Sequence, residues 1–257
     1  MEITAVVLAA FFASMLTFFS GFGLGTILLP VFAIFFPVDV AIALTGLVHF
    51  ANNLFKITLV GKKADLQVLL RFGIPAILAS FAGAWLLLRI TQMPALFEYQ
   101  LWGRTLEVTP VKLVVAMLLL VFSLLEVIPS VQRIQFGRDK LPVGGLLSGF
   151  FGGLTGIQGA VRSAFLIRSG LSKEGYIATG VVIASLVDFT RLSVYATRFK
   201  EAALYEHLAL ILAAVAAAMA GALLGNRLLK KITLRFIQII VAVLLFLIAA
   251  ALGMGLI

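Results

Sequence analysis

A stripe of four polar side chains lies within an otherwise apolar stretch of the sequence. Its members follow the helical spacing i, i+3, i+4 and i+7: His49, Asn52, Asn53 and Lys56. This spacing places the four on one face of a helix. Asn52 and Asn53 are candidate anion ligands, with hydrogen bonding between helices as the alternative. His49 and Lys56 are candidate proton carriers, although Lys56 could instead extend to a helix end and solvent.

A second stripe with comparable spacing occurs in the other half of the chain. Its members are Ser185, Asp188, Arg191 and Tyr195. Arg191 is a candidate anion ligand, and the carboxyl group of Asp188 can exchange a proton. Because these two residues are one helical turn apart, the alternative is that they neutralise each other. We keep Arg191 as a candidate ligand and Asp188 as a third candidate for proton coupling.

Two glycine-rich segments interrupt the apolar stretches, G-F-G-L-G-T-I-L-L-P at residues 21–30 and G-L-T-G-I-Q-G at residues 153–159. Glycine and proline both disfavour a helix interior, so we expect the helix to break there. The half-helix after each break presents free N–H groups and the positive end of its dipole, which favours an anion. The candidate ligands from these segments are Gly21, Gly23, Gly25, Gly156, Gln158, Gly159 and the following Arg162. A salt bridge to Asp188 is the alternative role for Arg162, and close helix packing is the expected role of Gly83 and Gly221.

The composition restricts the class of protein. The chain has 257 residues, of which 62% are hydrophobic and 12% charged, and its mean hydropathy is +1.16. A soluble domain of this composition would expose large apolar patches. We therefore expect an all-α polytopic membrane protein with no separate catalytic domain. The apolar stretches long enough to cross a bilayer are residues 3–36, 38–60, 67–90, 111–129, 141–168, 174–197, 205–229 and 232–257.

The polar residues exclude several further functions. The formal net charge is +9, but the basic residues cluster at the ends of apolar stretches, so we expect lipid headgroups rather than nucleic acid as their partners. The chain has no cysteine and only two histidines, His49 and His207, so we expect no metal centre and no cofactor. No nucleophile–base pair occurs at a suitable spacing, so we expect no enzyme. Met1 and Glu2 lack the positive charge of a signal peptide, so we expect the first stretch to be retained.

An internal repeat relates the two halves of the chain. A shift of 135 residues places Gly21 on Gly156, Asn53 on Asp188 and Lys56 on Arg191. The same shift aligns V-D-V-A-I-A at 38–43 with K-E-G-Y-I-A at 173–178. We predict a first transmembrane repeat at residues 1–129, a linker at 130–140 and a second transmembrane repeat at 141–257. Each repeat has a glycine-broken first segment and three further spanning helices.

Two topologies are open for the broken segments. If both cross the membrane, the Lys and Arg residues other than Arg162 divide nine against ten between its two sides, which gives no orientation. If both are re-entrant hairpins, the division is thirteen against six, and the two repeats are inverted. The enrichment of basic residues in cytoplasmic loops favours the hairpins.

These motifs resemble those of the TauE/SafE family of membrane proteins, named for sulfite and organosulfonate export. The matching segments cover nearly the whole chain and include F-P-V-D-V-A-I-A-L-T, L-S-K-E-G-Y-I-A-T-G and the paired A-G-A-W-L-L-L-R-I and A-G-A-L-L-G-N-R-L, besides both glycine clusters. The sequence differs from the family pattern at Leu24, Gln158 and Phe165, where glycine or proline is usual. The resemblance implies an exporter of sulfite or an organosulfonate in the plasma (inner) membrane of a prokaryote.

The residues and the resemblance together predict a secondary transporter that binds a small anion near the bilayer midplane. No nucleotide-binding loop occurs in the sequence, so we expect coupling to protons or to another ion gradient. An anion channel for small oxyanions is the alternative function.

Overall fold

The computed structural model describes residues 2–17, 24–128, 135–199, 207–228 and 234–257. Most of these residues are helical, and the helices among them are α1 Glu2–Thr17, α2 Leu24–Phe35, α3 Val38–Val60, α4 Leu66–Thr91, α5 Pro110–Val127, α6 Leu141–Thr155, α7 Gly159–Leu166, α8 Lys173–Phe199, α9 Leu208–Leu228 and α10 Leu234–Gly253. A π-helical turn at Leu69–Gly73 lies within α4.

Four helices within the described ranges are long and apolar enough to cross a bilayer. They lie in Val38–Lys63, Leu66–Thr91, Lys173–Ala196 and Leu208–Gly225. Shorter apolar helices accompany them, including α2 and most of α1 and α5. The predicted all-α polytopic membrane protein is confirmed.

A small β-hairpin joins α4 to α5, which the sequence analysis did not predict. Its antiparallel strands are β1 Phe97–Leu101 and β2 Arg104–Val108. Trp102 and Gly103 form the turn, both with positive φ. The Tyr99 hydroxyl donates to the carbonyl group of Met254, which fixes the hairpin against the end of α10.

Two helix pairs pack closely because small residues face backbone carbonyl groups of the partner helix. The contacts between α6 and α4 are Gly145 on Phe72, Gly149 on Ala76 and Gly153 on Ser80, and those between α9 and α1 are Gly221 on Phe11 and Gly225 on Met15. A Cβ atom at any of these glycines would overlap the carbonyl group. In both pairs the contacting residue numbers rise together, so the paired helices run parallel. Gly83 lies against Phe150 in the same way, which confirms the packing role predicted for Gly83 and Gly221.

The other two helix pairs that join the halves of the chain, α3 with α8 and α5 with α10, run antiparallel. The centre of α3 meets α8 through His49 and Asp188, and the Asp65 amide after α3 donates to Thr179 near the start of α8, at 2.9 Å. Similarly, Gly255 after α10 lies against the Glu107 carbonyl before α5. The four pairs are α4–α6, α1–α9, α3–α8 and α5–α10. If α1, α3, α4 and α5 are exchanged with α6, α8, α9 and α10 in that order, the same four pairs result. The division into repeats at 1–129 and 141–257 stays a prediction.

The α6–α7 segment turns back on itself. Gln158 lies against Gly152 near the end of α6, whereas the Phe165 ring lies against Gly144 near its start. The amide of Phe136, which precedes α6, also donates to the Ala164 carbonyl at 3.1 Å. The chain therefore enters and leaves α6–α7 at the same end of the helix bundle.

The α1–α2 segment has the same form. Because α1 runs parallel to α9, its first turn lies toward the start of α9. Phe36, directly after α2, contacts the ring of His207 just before α9, with ring centroids 4.8 Å apart. Both termini of this segment therefore lie at one end of the bundle, opposite to the end from which α6 starts.

These directions define two ends of the molecule. The A end carries residues 61–65, the start of α6 and residues 167–172, and the B end carries residues 36–37, the β-hairpin and residues 254–257. Basic residues with described side chains are more frequent at the A end, namely Lys62, Lys63, Arg138, Lys140, Arg168 and Lys173, than at the B end, namely Arg89, Arg104 and Lys112. His49 is the central residue of α3 and lies midway between the ends.

We expect Gly149→Ala to destabilise the protein by about 1–3 kcal/mol, because its Cβ would force α6 away from α4. Gly73→Ala is the matched control, since the nearest atoms to a Cβ there are 4.0 Å away. Thermal unfolding in detergent measures both. Equal midpoints for the two variants would show that the α4–α6 contact is not close.

Candidate functional site

The first turn of α2 lies against the break between α6 and α7, which comprises residues 156–158. A Cβ atom at Gly25 would lie 3.5 Å from the Gly156 carbonyl oxygen and 3.5 Å from Cγ2 of Thr45 in α3. Gly156 has φ +80°, a left-handed conformation that ends α6 and that glycine adopts without strain. Gly21 and Gly23 lie outside the described residues.

The carbonyl groups at the end of α6 are bonded by α8. The Tyr195 hydroxyl donates to the Gly153 carbonyl and lies 3.5 Å from that of Leu154. The Gly156 amide donates back to the Gly152 carbonyl at 2.8 Å. Tyr195 therefore satisfies acceptors that a helix end leaves open, a role that the sequence analysis did not predict.

A buried ion-pair network joins α3 to α8. Asp188 Oδ1 accepts a hydrogen bond from Arg191 Nε at 2.9 Å. Asp188 Oδ2 lies 2.6 Å from His49 Nδ1 and accepts from Asn53 Nδ2 at 3.3 Å. All four side chains are buried, and those of Asp188 and Arg191 are fully inaccessible. Asp188 and Arg191 thus pair locally, which the sequence analysis gave as the alternative to an anion-binding role, and both carboxylate oxygens are occupied.

The Arg191 guanidinium packs between α3 and the break. A Cβ atom at Gly46 would lie 3.2 Å from Arg191 Cζ, and one at Gly156 would lie 2.8 Å from it. Arg191 Nη1 is buried and has no hydrogen-bond partner. The guanidinium is thus bound to Asp188 through Nε, while Nη1 remains available beside Gly156.

Two further polar side chains at the break lack partners. Gln158 is 2% exposed, and neither its amide oxygen nor its amide nitrogen makes a hydrogen bond. The hydroxyl of Thr45 is also buried and unbonded. Each such group costs about 1–3 kcal/mol if it stays unsatisfied, so their grouping indicates a place that a polar ligand completes. Sequence analysis missed Thr45, although it lies four residues before His49 on the same helix face.

Asn52 and Lys56 belong to a separate cluster on another face of α3. With the Asn52 amide oriented to suit its neighbours, its oxygen accepts from Lys56 Nζ at 3.2 Å and from Ser14 Oγ at 3.3 Å. Its nitrogen donates to the Ala218 carbonyl at 3.3 Å. Lys56 is 6% exposed, so it does not extend to solvent. The structure therefore places these two residues between α1, α3 and α9 rather than at the break.

Gly159 and Arg162 lie on α7, directly after the break. Gly159 is the first residue of this helix and is buried. Arg162 is half-buried, its Nη1 atom has no partner, and its side chain lies against Gly180 of α8. Arg162 makes no salt bridge with Asp188, because Arg191 and His49 already occupy that carboxylate.

Among the described residues, no three His, Asp or Glu side chains are grouped as metal ligands would be. The polar groups at the break are an amide, a hydroxyl and a guanidinium, and each of them can donate hydrogen bonds to an anion.

The comparison with known proteins agrees with this chemistry. The protein family described as "Sulfite exporter TauE/SafE" matches residues 6–252, nearly the whole chain. No curated protein and no solved structure matches. TauE/SafE proteins are membrane transporters and not enzymes, and the family implies a small anionic substrate and a lipid environment. The chain therefore belongs to the TauE/SafE family and is a multi-pass membrane transport protein.

Proposed function

We propose that this protein is a carrier that exports a small sulfur-containing anion, such as sulfite or an organosulfonate. The observation that supports this most strongly is the group of buried, unbonded polar atoms at the break: both amide atoms of Gln158, the Thr45 hydroxyl and Arg191 Nη1. The family membership supports the substrate class.

The electrostatics of the break favour an anion. Gln158 is the N-terminal cap of α7, but its side chain makes no capping hydrogen bond. The first N–H groups of α7 are therefore open toward this buried region, and the first turn of α2 approaches it at Gly25. Asp188 is the carboxylate that the described residues place beside the break, and both of its oxygens are engaged. An anion there meets hydrogen-bond donors and, among the described residues, no open carboxylate.

The predicted ligands take different roles in this proposal. Backbone groups and space for the anion come from the three glycines at the break, Gly25, Gly156 and Gly159. Side-chain hydrogen-bond donors come from Gln158 and Arg191, and the Thr45 hydroxyl is a further donor. Gly21 and Gly23 stay predicted ligands on the sequence motif alone. Arg162 lies one turn beyond the break and stays a predicted ligand from α7. Asn53 positions Asp188, and Asn52 supports Lys56 in the neighbouring cluster.

We further propose that the A end faces the cytoplasm of a prokaryotic cell and that the protein lies in the plasma membrane. The greater number of basic residues at the A end supports this orientation. Both broken segments then enter and return as hairpins, α6–α7 from the cytoplasmic side and α1–α2 from the opposite side. This arrangement is the inverted repeat that the sequence predicts, with the site at the interface of the repeats.

We expect Gln158→Leu to weaken sulfite binding at least tenfold without lowering thermal stability, because it removes an unbonded buried amide. Thermal-shift titration with sulfite, sulfate, taurine and a carboxylate control measures both effects. Ser148→Ala is the matched control. The Ser148 hydroxyl is also buried and unbonded, but Ser148 lies two turns before the end of α6 and therefore outside the break. An unchanged sulfite-induced shift in Gln158→Leu would remove Gln158 from the site.

Counterflow in proteoliposomes distinguishes a carrier from the alternative anion channel. We expect external unlabelled sulfite to drive transient accumulation of labelled sulfite, because a carrier returns loaded. A channel would instead give flux without counterflow and a conductance far above carrier turnover.

Single cysteines test the orientation, and the chain has no native cysteine to interfere. We expect Thr105→Cys in the β-hairpin to react with an impermeant maleimide on intact cells. We expect Asp139→Cys, at the exposed A end, to react only after permeabilisation. The reverse pattern would invert the proposed orientation.

A further inference from the structure

We propose that His49 takes up one proton with each anion bound, so that the carrier moves both together. This inference rests on the proposed function, namely that the break binds the anion. It selects one of the three candidates for coupling, His49, Lys56 and Asp188, by what each side chain contacts.

The contacts of His49 leave one ring nitrogen able to accept a proton. Nδ1 lies 2.6 Å from the Asp188 carboxylate, so the neutral ring keeps its hydrogen on Nδ1. Nε2 is then the ring nitrogen without a hydrogen, and the Asn53 amide nitrogen lies 3.4 Å from Nε2 and 3.2 Å from Nδ1. Asn53 also donates to Asp188 at 3.3 Å, so its amide keeps a partner when Nε2 becomes protonated.

The charged groups around His49 give the cluster a net charge that changes with this proton. Asp188 and Arg191, both from α8, cancel each other. Tyr195 of α8 is neutral and bonded to α6, Arg162 approaches from α7, and Lys56 lies two turns along α3 in the other cluster. The sequences of α2 and α6 contain no titratable side chain. The His49–Asp188–Arg191 group is therefore neutral with an unprotonated ring and carries +1 with a protonated ring.

This difference makes anion binding and proton binding mutually favourable. An anion beside Arg191 adds a buried negative charge, and a proton on His49 offsets part of it. By linkage, the anion must then increase proton binding at His49 by the same factor. A monoanion and one proton together carry no net charge. The driving force for their joint transport therefore depends on the anion and pH gradients but not on the membrane voltage. Export proceeds when the outward anion gradient exceeds the opposing proton gradient.

The other two candidates are less suited to carry the proton. Both Asp188 oxygens are held by donors or cations, so its protonation would break the network that joins α3 to α8. Lys56 bonds Asn52 in the cluster between α1, α3 and α9, whereas His49 bonds the same carboxylate that holds Arg191 beside Gly156.

The test uses isethionate, a sulfonate whose charge is constant across the neutral pH range, in proteoliposomes. We expect wild-type protein to accumulate isethionate about tenfold for each pH unit by which the interior is more alkaline, at any imposed voltage. His49→Gln should lose this accumulation, and it should show isethionate counterflow only at higher isethionate concentrations, because a neutral Gln does not offset the charge of the bound anion. His207→Gln is the matched control, because it changes the only other histidine, and it should behave as wild type.

The outcomes separate the inference from the proposed function. Wild-type counterflow without pH-driven accumulation overturns the proton coupling and leaves the carrier function standing. Accumulation that persists in His49→Gln overturns the role of His49. Absence of counterflow with both isethionate and sulfite overturns the proposed function, and this inference with it.

A second measurement does not depend on flux. In the His207→Gln protein, His49 is the only histidine, so imidazole NMR reports its protonation directly. We expect saturating isethionate to increase the protonated fraction of His49 at a fixed pH. A protonated fraction that does not change with isethionate would overturn the proposed coupling even if flux in His49→Gln were lost through misfolding.

Discussion

Lipid supplies no hydrogen bonds, so every polar group that leaves regular helix geometry at membrane depth needs a protein partner or a ligand. The described part of this protein gathers such groups at the break between α6 and α7. Tyr195 bonds the carbonyl end of α6 there, and His49, Asn53 and Arg191 bond Asp188. The groups left over include the Gln158 amide and Arg191 Nη1. An anion would complete such a site.

Close helix packing holds the break at this depth. Glycines at four-residue intervals on α6 let its backbone lie against the carbonyl groups of α4, and α9 meets α1 in the same manner. Small residues are the usual means of close approach between membrane helices, where no hydrophobic force drives association. With α6 fixed on α4 and α1 fixed on α9, the end of α6 and the start of α2 meet between α3 and α8.

The two halves use their matched polar stripes differently. Lys56 and Arg191 align under the predicted repeat, yet Arg191 faces the break while Lys56 bonds Asn52 near α1 and α9. Asn53 and Asp188 also align, and they bond each other across the α3–α8 contact. The charge at the candidate site therefore comes from the second half, and the first half contributes an imidazole, an amide and a hydroxyl. If the predicted repeat holds, its side chains have diverged into one asymmetric candidate site.

Apolar length, glycine spacing and helical periodicity are local properties, so the sequence by itself determined the membrane class, the break at Gly156 and the polar faces of α3 and α8. It also indicated the Asp188–Arg191 pair, since residues one turn apart meet on any helix. The partner of His49, the separation of Asn52 and Lys56 from the break, the role of Thr45 and the β-hairpin were decided only by the tertiary structure. These depend on how α3 is rotated between α1, α8 and α9, and that rotation is set by contacts between residues far apart in the chain, which helical spacing alone does not encode.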